Sequence, residues 1–145
     1  MVYYYALFEP DPHSDRFFTI TFPDIEWGVS QGENEQDGRE MALDLLRTML
    51  GEHMRKGEPI PRAKAHRGSR YRLITLPVLE SAKVELYRAF LQSGIRKSEL
   101  ARRLGIPKTN VDRMFALHRK SRFDQIEAAF GALGKRLEIE VRDAA

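Results

Sequence analysis

The order of apolar and polar positions divides the chain into a strand-rich front and a helix-rich rear. Residues 2–8, VYYYALF, are β-branched and aromatic with almost no polarity. Residues 16–22, RFFTITF, alternate Phe18, Ile20 and Phe22 with Phe17, Thr19 and Thr21. Both patterns predict strands. The intervening EPDPHSD holds two Pro, two Asp and a Ser, the composition of a turn, so the strands form an antiparallel pair. PDIEWG reads as a loop and VSQG as a short third strand closed by Gly32. The period then changes. Ala42, Leu45, Leu46, Met49 and Leu50 recur at helical spacing through to about Arg55, with Met41 and Met54 widening the stripe. Asn34 caps this long helix, Asp37 sits one turn inside, and Gly57 stops it. YRLITLP, residues 71–77, supplies a further strand that completes the front sheet.

From Val78 onward the periodicity is helical. LESAKVELYRAFLQSG gathers Val84, Tyr87, Phe90 and Leu91 on one face and ends at Gly94. Residues 95–117 form two short helices around a tight turn. Leu100, Ala101 and Leu104 face inward from the first, Gly105 ends it in a left-handed conformation, and Pro107 opens the second. The second helix buries Val111 and Phe115 beside Met114 and Leu117. Lys108, Thr109, Asn110, Asp112 and Arg113 remain at its front or on its open face. Ser121 is placed to cap a fourth helix, with Asp124 three residues on. That helix would bury Phe123, Ile126, Phe130 and Leu133 and end at Gly134. In 136–142 Leu137, Ile139 and Val141 alternate with charges, an amphipathic strand with no partner left in the chain; a second copy is the natural supplier.

The expected class is α+β. An N-terminal antiparallel sheet with one long helix on it comprises residues 1–57 and 71–77. A Pro- and Arg-rich connection spans 58–70, and an all-α four-helix unit with a final strand spans 78–145. At 145 residues and 42% hydrophobic, the chain can fill one ordinary core or two small ones. The absence of Cys removes a disulfide framework and a Cys-ligated zinc site. No apolar run is long enough for a bilayer, and the N-terminus lacks the basic start of a signal peptide, so a cytoplasmic location is expected. The net charge of +3 hides an asymmetry. Residues 1–58 hold 12 Asp+Glu against 5 Lys+Arg, 59–77 hold five basic and no acidic residues, and 78–145 hold 14 basic and 9 acidic. An acidic front and a basic rear imply two jobs, with nucleic acid at the rear.

Catalysis finds little support. Glu9, Asp11, Asp15 and Asp24 lie at strand ends where they could hold a divalent metal, but their spacing marks no cluster. There is no HExxH, phosphate loop or nucleophile elbow. His13, His53, His66 and His118 are scattered over loops and helix ends. The expectation is a non-enzyme without metal or cofactor. A ligand-sensing repressor is the alternative, with Tyr3, Tyr4, Tyr5 and Trp27 lining a pocket in the front sheet.

Two resemblances sharpen this reading. ELARRLGIPKTNVDRMF resembles the DNA-binding motif of the repressor-like (lambda repressor and Xre type) domains, through the small Ala101, the turn Gly105 and the buried Val111. It departs at Arg96, where those domains often carry a Thr or Ser cap; Glu99 still offers half of a capping box. The resemblance implies that Lys108, Thr109, Asn110 and Arg113 approach base edges while Lys97, Arg102, Arg119 and Lys120 hold phosphates. The front resembles the HicB-type antitoxin domain through Phe22, Pro23, Asp24, Ile25, Gly32 and the Ala42–Leu46 region. It departs at Glu26 and Trp27, where members commonly carry Pro-Gly. Together the two imply a type II antitoxin that occludes a HicA-type RNA-cleaving toxin, binds operator DNA to repress its own operon, and assembles as a homodimer or larger homo-oligomer through the rear unit and strand 136–142. Glu9, Asp11, Asp24, Glu26 and Trp27 are the residues expected to face the basic toxin.

Overall fold

The computed structural model describes residues 1–144. Its front is a four-stranded antiparallel sheet of β1 (Tyr3–Pro10), β2 (Phe18–Thr21), β3 (Ser30–Gly32) and β4 (Tyr71–Thr75), in the order β3-β2-β1-β4. Period-two alternation decides the faces. Tyr4, Ala6 and Phe8 of β1 point inward with Ile20 and Ile74, which pair with Phe8 and Tyr4. The long helix α1 (Glu35–Lys56) covers that face with Ala42, Leu46, Met49 and Leu50, all fully buried. The opposite face, carrying Tyr3, Tyr5, Tyr71 and Leu73, has no helix on it.

α1 starts where its sequence dictates. The Asn34 side chain accepts the Asp37 amide at 2.9 Å, and the Asp37 carboxylate accepts the Glu33 amide at 2.8 Å, a reciprocal cap. Its first turn touches β3 backbone to backbone: a Cβ on Gly32 would lie 2.4 Å from Gly38 Cα.

The rear contains α2 (Val78–Ser93), α3 (Lys97–Leu104), α4 (Lys108–Met114) and α5 (Phe123–Ala132). α2 belongs to both halves. Ser81 Oγ accepts the Val2 amide at 3.0 Å and donates to the Leu76 carbonyl at 3.1 Å. The Tyr87 hydroxyl donates to the Glu58 carbonyl at 2.7 Å, and Arg47 of α1 pairs with Glu80 at 2.9 Å. One contiguous cluster of buried side chains therefore runs from Val2 to Phe130.

Three local expectations are corrected. Segment 136–142 forms no ladder among the described residues, and Ile139 and Val141 are 74% and 91% exposed. Alternation fixes which side chains share a face but supplies no partner for the amides. Ser121 does not cap α5: its hydroxyl is buried without a partner, Arg122 holds the cap position, and Asp124 accepts the Gln125 amide instead. Phe123 accordingly lies at the helix start, 38% exposed, while Ile126, Ala129 and Phe130 are buried. Glu99 completes no capping box, because Arg102 and Arg103 take its carboxylate.

Candidate partner and nucleic-acid surfaces

On the rear surface α3 and α4 meet around the turn at Gly105, whose φ of 64° lies in the left-handed region. Its neighbour Ile106 donates to the Ala101 carbonyl at 3.1 Å. Pro107 precedes α4 at φ −62°, where a missing N–H costs nothing. Leu100, Ala101, Val111, Met114, Phe115 and Leu117 are buried between the helices and α2, so the remaining side chains of α4 must face out. Lys108, Thr109 and Arg113 are exposed and Asn110 is half-buried. Lys97 lies directly against this helix, paired with Asp112 at 2.9 Å and above the Phe115 ring. Arg102 is turned to Glu99 in a bidentate pair. Hydrogen bonds from Arg102, then Arg103, hold the Glu99 carboxyl down to about 2. Arg119 and Lys120 are exposed on the loop between α4 and α5.

The grip on the far end of α4 was not legible beforehand. Lys83, on the buried face of α2 four residues ahead of Tyr87, is wholly buried, and its ammonium donates to the carbonyls of Arg113, Ala116 and Arg119. Burial pushes this group down to about 8, against a smaller upward pull from Glu80. Beside it a cleft of about 780 Å³ opens between α1, α2, α4 and the loop, lined among others by Arg47, Glu52, Phe115 and His118. The signal in the sequence was a lysine in phase with Val84, Tyr87 and Phe90, read there as a plain apolar stripe.

At the front, Glu9, Glu26 and Trp27 are exposed, and Asp11 is half-buried with its carboxylate accepting the His13 amide at 2.8 Å. Asp24 is placed differently. Its side chain is 6% exposed; it accepts the Lys64 amide at 2.8 Å and lies 3.0 Å from His66 Nε2. His66 in turn stacks on Tyr71 at 5.0 Å and meets Tyr5 edge-on. Burial alone would raise the Asp24 carboxyl, but the Lys64 amide and His66 outweigh it and hold it low. Asp24 thus pins the 58–70 connection to the uncovered face of the sheet. Trp27, 52% exposed, sits at φ 71°, a left-handed conformation in a residue with a bulky Cβ substituent. Val29, Tyr3 and Leu73 are further exposed apolar side chains of the front half.

Neither alternative gains a site. No group of three His, Asp or Glu side chains suited to a metal exists among the described residues. Tyr3, Tyr4, Tyr5 and Trp27 do not share a pocket: Tyr4 is in the core, and a cavity of about 180 Å³ takes in Tyr3 and Tyr4 but neither Tyr5 nor Trp27. No helix among the described residues is long and apolar enough to cross a membrane.

Residues 3–85, covering the sheet, α1 and the first half of α2, match the family model described as the HicB_like antitoxin of bacterial toxin-antitoxin system. The chain is 36% identical over 128 residues to Antitoxin HicB of Escherichia coli (strain K12), spanning 88% of this chain and 92% of that protein. It is 33% identical over 113 residues to Antitoxin HicB of Pseudomonas fluorescens (strain Pf0-1), spanning 78% and 77%. Antitoxin HicB 1 of Photorhabdus laumondii is 30% identical over 131 residues, spanning 90% and 83%.

Proposed function

This chain belongs to the HicB-like antitoxin family, and from that premise we propose how the antitoxin divides its labour. Residues 1–57 and 71–77 bind and occlude a HicA-type ribonuclease toxin in the cytoplasm. Residues 78–145 bind operator DNA and repress the operon. The protein itself catalyses nothing and uses no cofactor. The observation that carries the DNA half is α4, a short helix whose buried face is fully used and whose outward face offers Lys108, Thr109, Asn110 and Arg113. Such side chains suit base edges in a major groove. Lys97, Arg102, Arg119 and Lys120 hold phosphates, with Lys97 and Arg102 exchanging carboxylate partners for phosphate on binding.

The toxin half rests on the family and on charge. Glu9, Asp11 and Glu26 attract a basic ribonuclease and compete with its RNA, while Trp27 supplies exposed aromatic surface. Asp24 serves this face indirectly, by holding the connection that borders it. Two copies join through the rear unit and segment 136–142, whose unpaired edge and exposed Ile139 and Val141 find partners in a second chain.

The test is co-expression with the product of the neighbouring gene, followed by gel shifts on the upstream DNA. A captured partner whose RNA cleavage is silenced establishes the toxin half. Arg113→Ala should lose roughly 1–3 kcal/mol of discrimination between operator and scrambled DNA. Lys97→Ala should weaken both alike and flatten the salt dependence. Equal losses in both variants on both duplexes would refute this division of roles.

A further inference from the structure

Lys83 is the only charged residue that is wholly buried among the described residues, and no carboxylate is paired with it. Its three protons meet three carbonyl oxygens, of Arg113, Ala116 and Arg119, at the C-terminal end of α4 and in the turns that follow. The Arg113 carbonyl lies in the last turn of α4 and those of Ala116 and Arg119 follow it. Arg113 and Ala116 each accept one backbone amide, from Ala116 and Arg119, and keep a second lone pair for the ammonium. An ammonium satisfies all three at once. A neutral amine has two protons and would turn its lone pair on the third oxygen. α4 has seven residues, too few to hold its own conformation, so its pose is set by what grips its two ends. The turn at Gly105 grips one and Lys83 the other.

We propose that Lys83 is a positioning residue for operator recognition: its ammonium locks the end of α4 and the 115–119 turn to α2, fixing the angle at which Lys108, Thr109, Asn110 and Arg113 meet the bases. The proposal rests on the operator-binding reading above. Lys83 itself, being buried, touches no DNA. Its grip is anchored in the sheet, because α2 holds Val2 and Leu76 through Ser81 and Glu58 through Tyr87.

The charge on Lys83 is removable under mild conditions, since burial brings its titration to about 8. Arg47, Glu52 and Arg55 line the cleft beside it from α1, Glu80 from its own helix, Lys97 from α3 and Asp112 from α4. His118, Arg119 and Lys120 complete the surroundings from the loop. Between about pH 8 and the ordinary lysine range the unfolded chain keeps the proton that the folded chain has released, so this titration adds global stability as pH rises. Loss of α4 positioning and loss of the fold therefore have opposite pH signs.

The experiment measures affinity of the full chain for the duplex upstream of its gene and for a scrambled duplex of equal length and composition. It runs from pH 7 to 9.5 on wild type and Lys83→Met, with melting temperatures alongside. In the wild type the ratio of the two affinities should fall by about tenfold, the scale of one base contact, with a midpoint near 8 and no matching fall in melting temperature. Lys83→Met should show the low ratio already at pH 7, unchanged with pH, with affinity for the scrambled duplex retained. If the variant does not fold, the wild-type profile decides alone. A variant that keeps the wild-type ratio, or a wild-type ratio flat across this range, overturns the proposal and leaves the operator reading standing. A wild type with no preference for the upstream duplex at pH 7 overturns both.

Discussion

At the scale of single residues, two front positions separate support from contact. Trp27 is held at φ 71°, which costs an L-residue about 1–2 kcal/mol relative to glycine. Trp27→Gly should leave stability equal or raise it by up to about 1 kcal/mol in thermal melts. Toxin affinity should meanwhile drop by about tenfold if the exposed ring is an anchor. A stability loss with unchanged toxin binding would mean the ring serves packing. Asp24 behaves in the opposite way. Asp24→Asn should cost about 1–3 kcal/mol at neutral pH, because the Lys64 amide and His66 lose a charged acceptor. The wild-type carboxyl is held below its ordinary value, so its contribution is complete above that value. It disappears as pH falls through the folded value, where the unfolded chain has already taken up its proton. Urea titrations at pH 7 and pH 3 check this: the gap between the two proteins should narrow at the lower pH. Sequence placed Asp24 beside Glu26 on one surface because adjacency along the chain says nothing about which side chain a later segment covers. The strap at 64–66 comes from forty residues away.

At the scale of elements, two glycines near or within α1 have opposite tolerances. A Cβ on Gly32 would meet the Gly38 backbone at 2.4 Å, and no flexible side chain is available to yield. Gly32→Ala should therefore destabilise by about 1–3 kcal/mol. Gly51 lies inside α1 with nothing within 4 Å of an added Cβ, so Gly51→Ala should stabilise by roughly 0.5–1 kcal/mol. Chemical denaturation of the two variants compares them directly. The elements themselves were readable: Asn34 and Asp37 announced the start of α1, Gly105 and Pro107 the break between α3 and α4, and the alternation through Phe18, Ile20 and Phe22 a strand. Ser121 shows where such reading stops. A serine followed three residues on by an acid satisfies the cap pattern, yet the tertiary packing buries the hydroxyl and moves the helix start past it.

At the scale of the whole molecule, α2 makes one continuous core from a chain whose composition changes abruptly at Val78. The joint also bears on assembly. Removing residues 138–145 takes away exposed Ile139 and Val141 and leaves Leu137, which packs against the core, so the remaining fold should persist. Sedimentation should show the truncated chain shifted toward monomer, and its operator affinity should fall more steeply than its affinity for a half-site. A truncated chain with unchanged mass in solution would place the dimer contact elsewhere.

Local chemistry within short windows was enough to determine the class of fold, the order of elements, the long capped helix and the tight turn between α3 and α4. Each of these depends on neighbours in sequence: period, caps, and the backbone freedom of glycine and proline. What only the tertiary structure decided involves partners far apart along the chain. Asp24 with His66, the bare backbone contact of Gly32 with Gly38, and Lys83 closing the end of a helix thirty residues later are of this kind. A lysine in phase with a buried stripe is ambiguous in sequence, since the stem is apolar and the head is not. Only the convergence of three carbonyl oxygens gives the buried ammonium its hydrogen-bond partners, and those oxygens exist as a site only after α4 has docked.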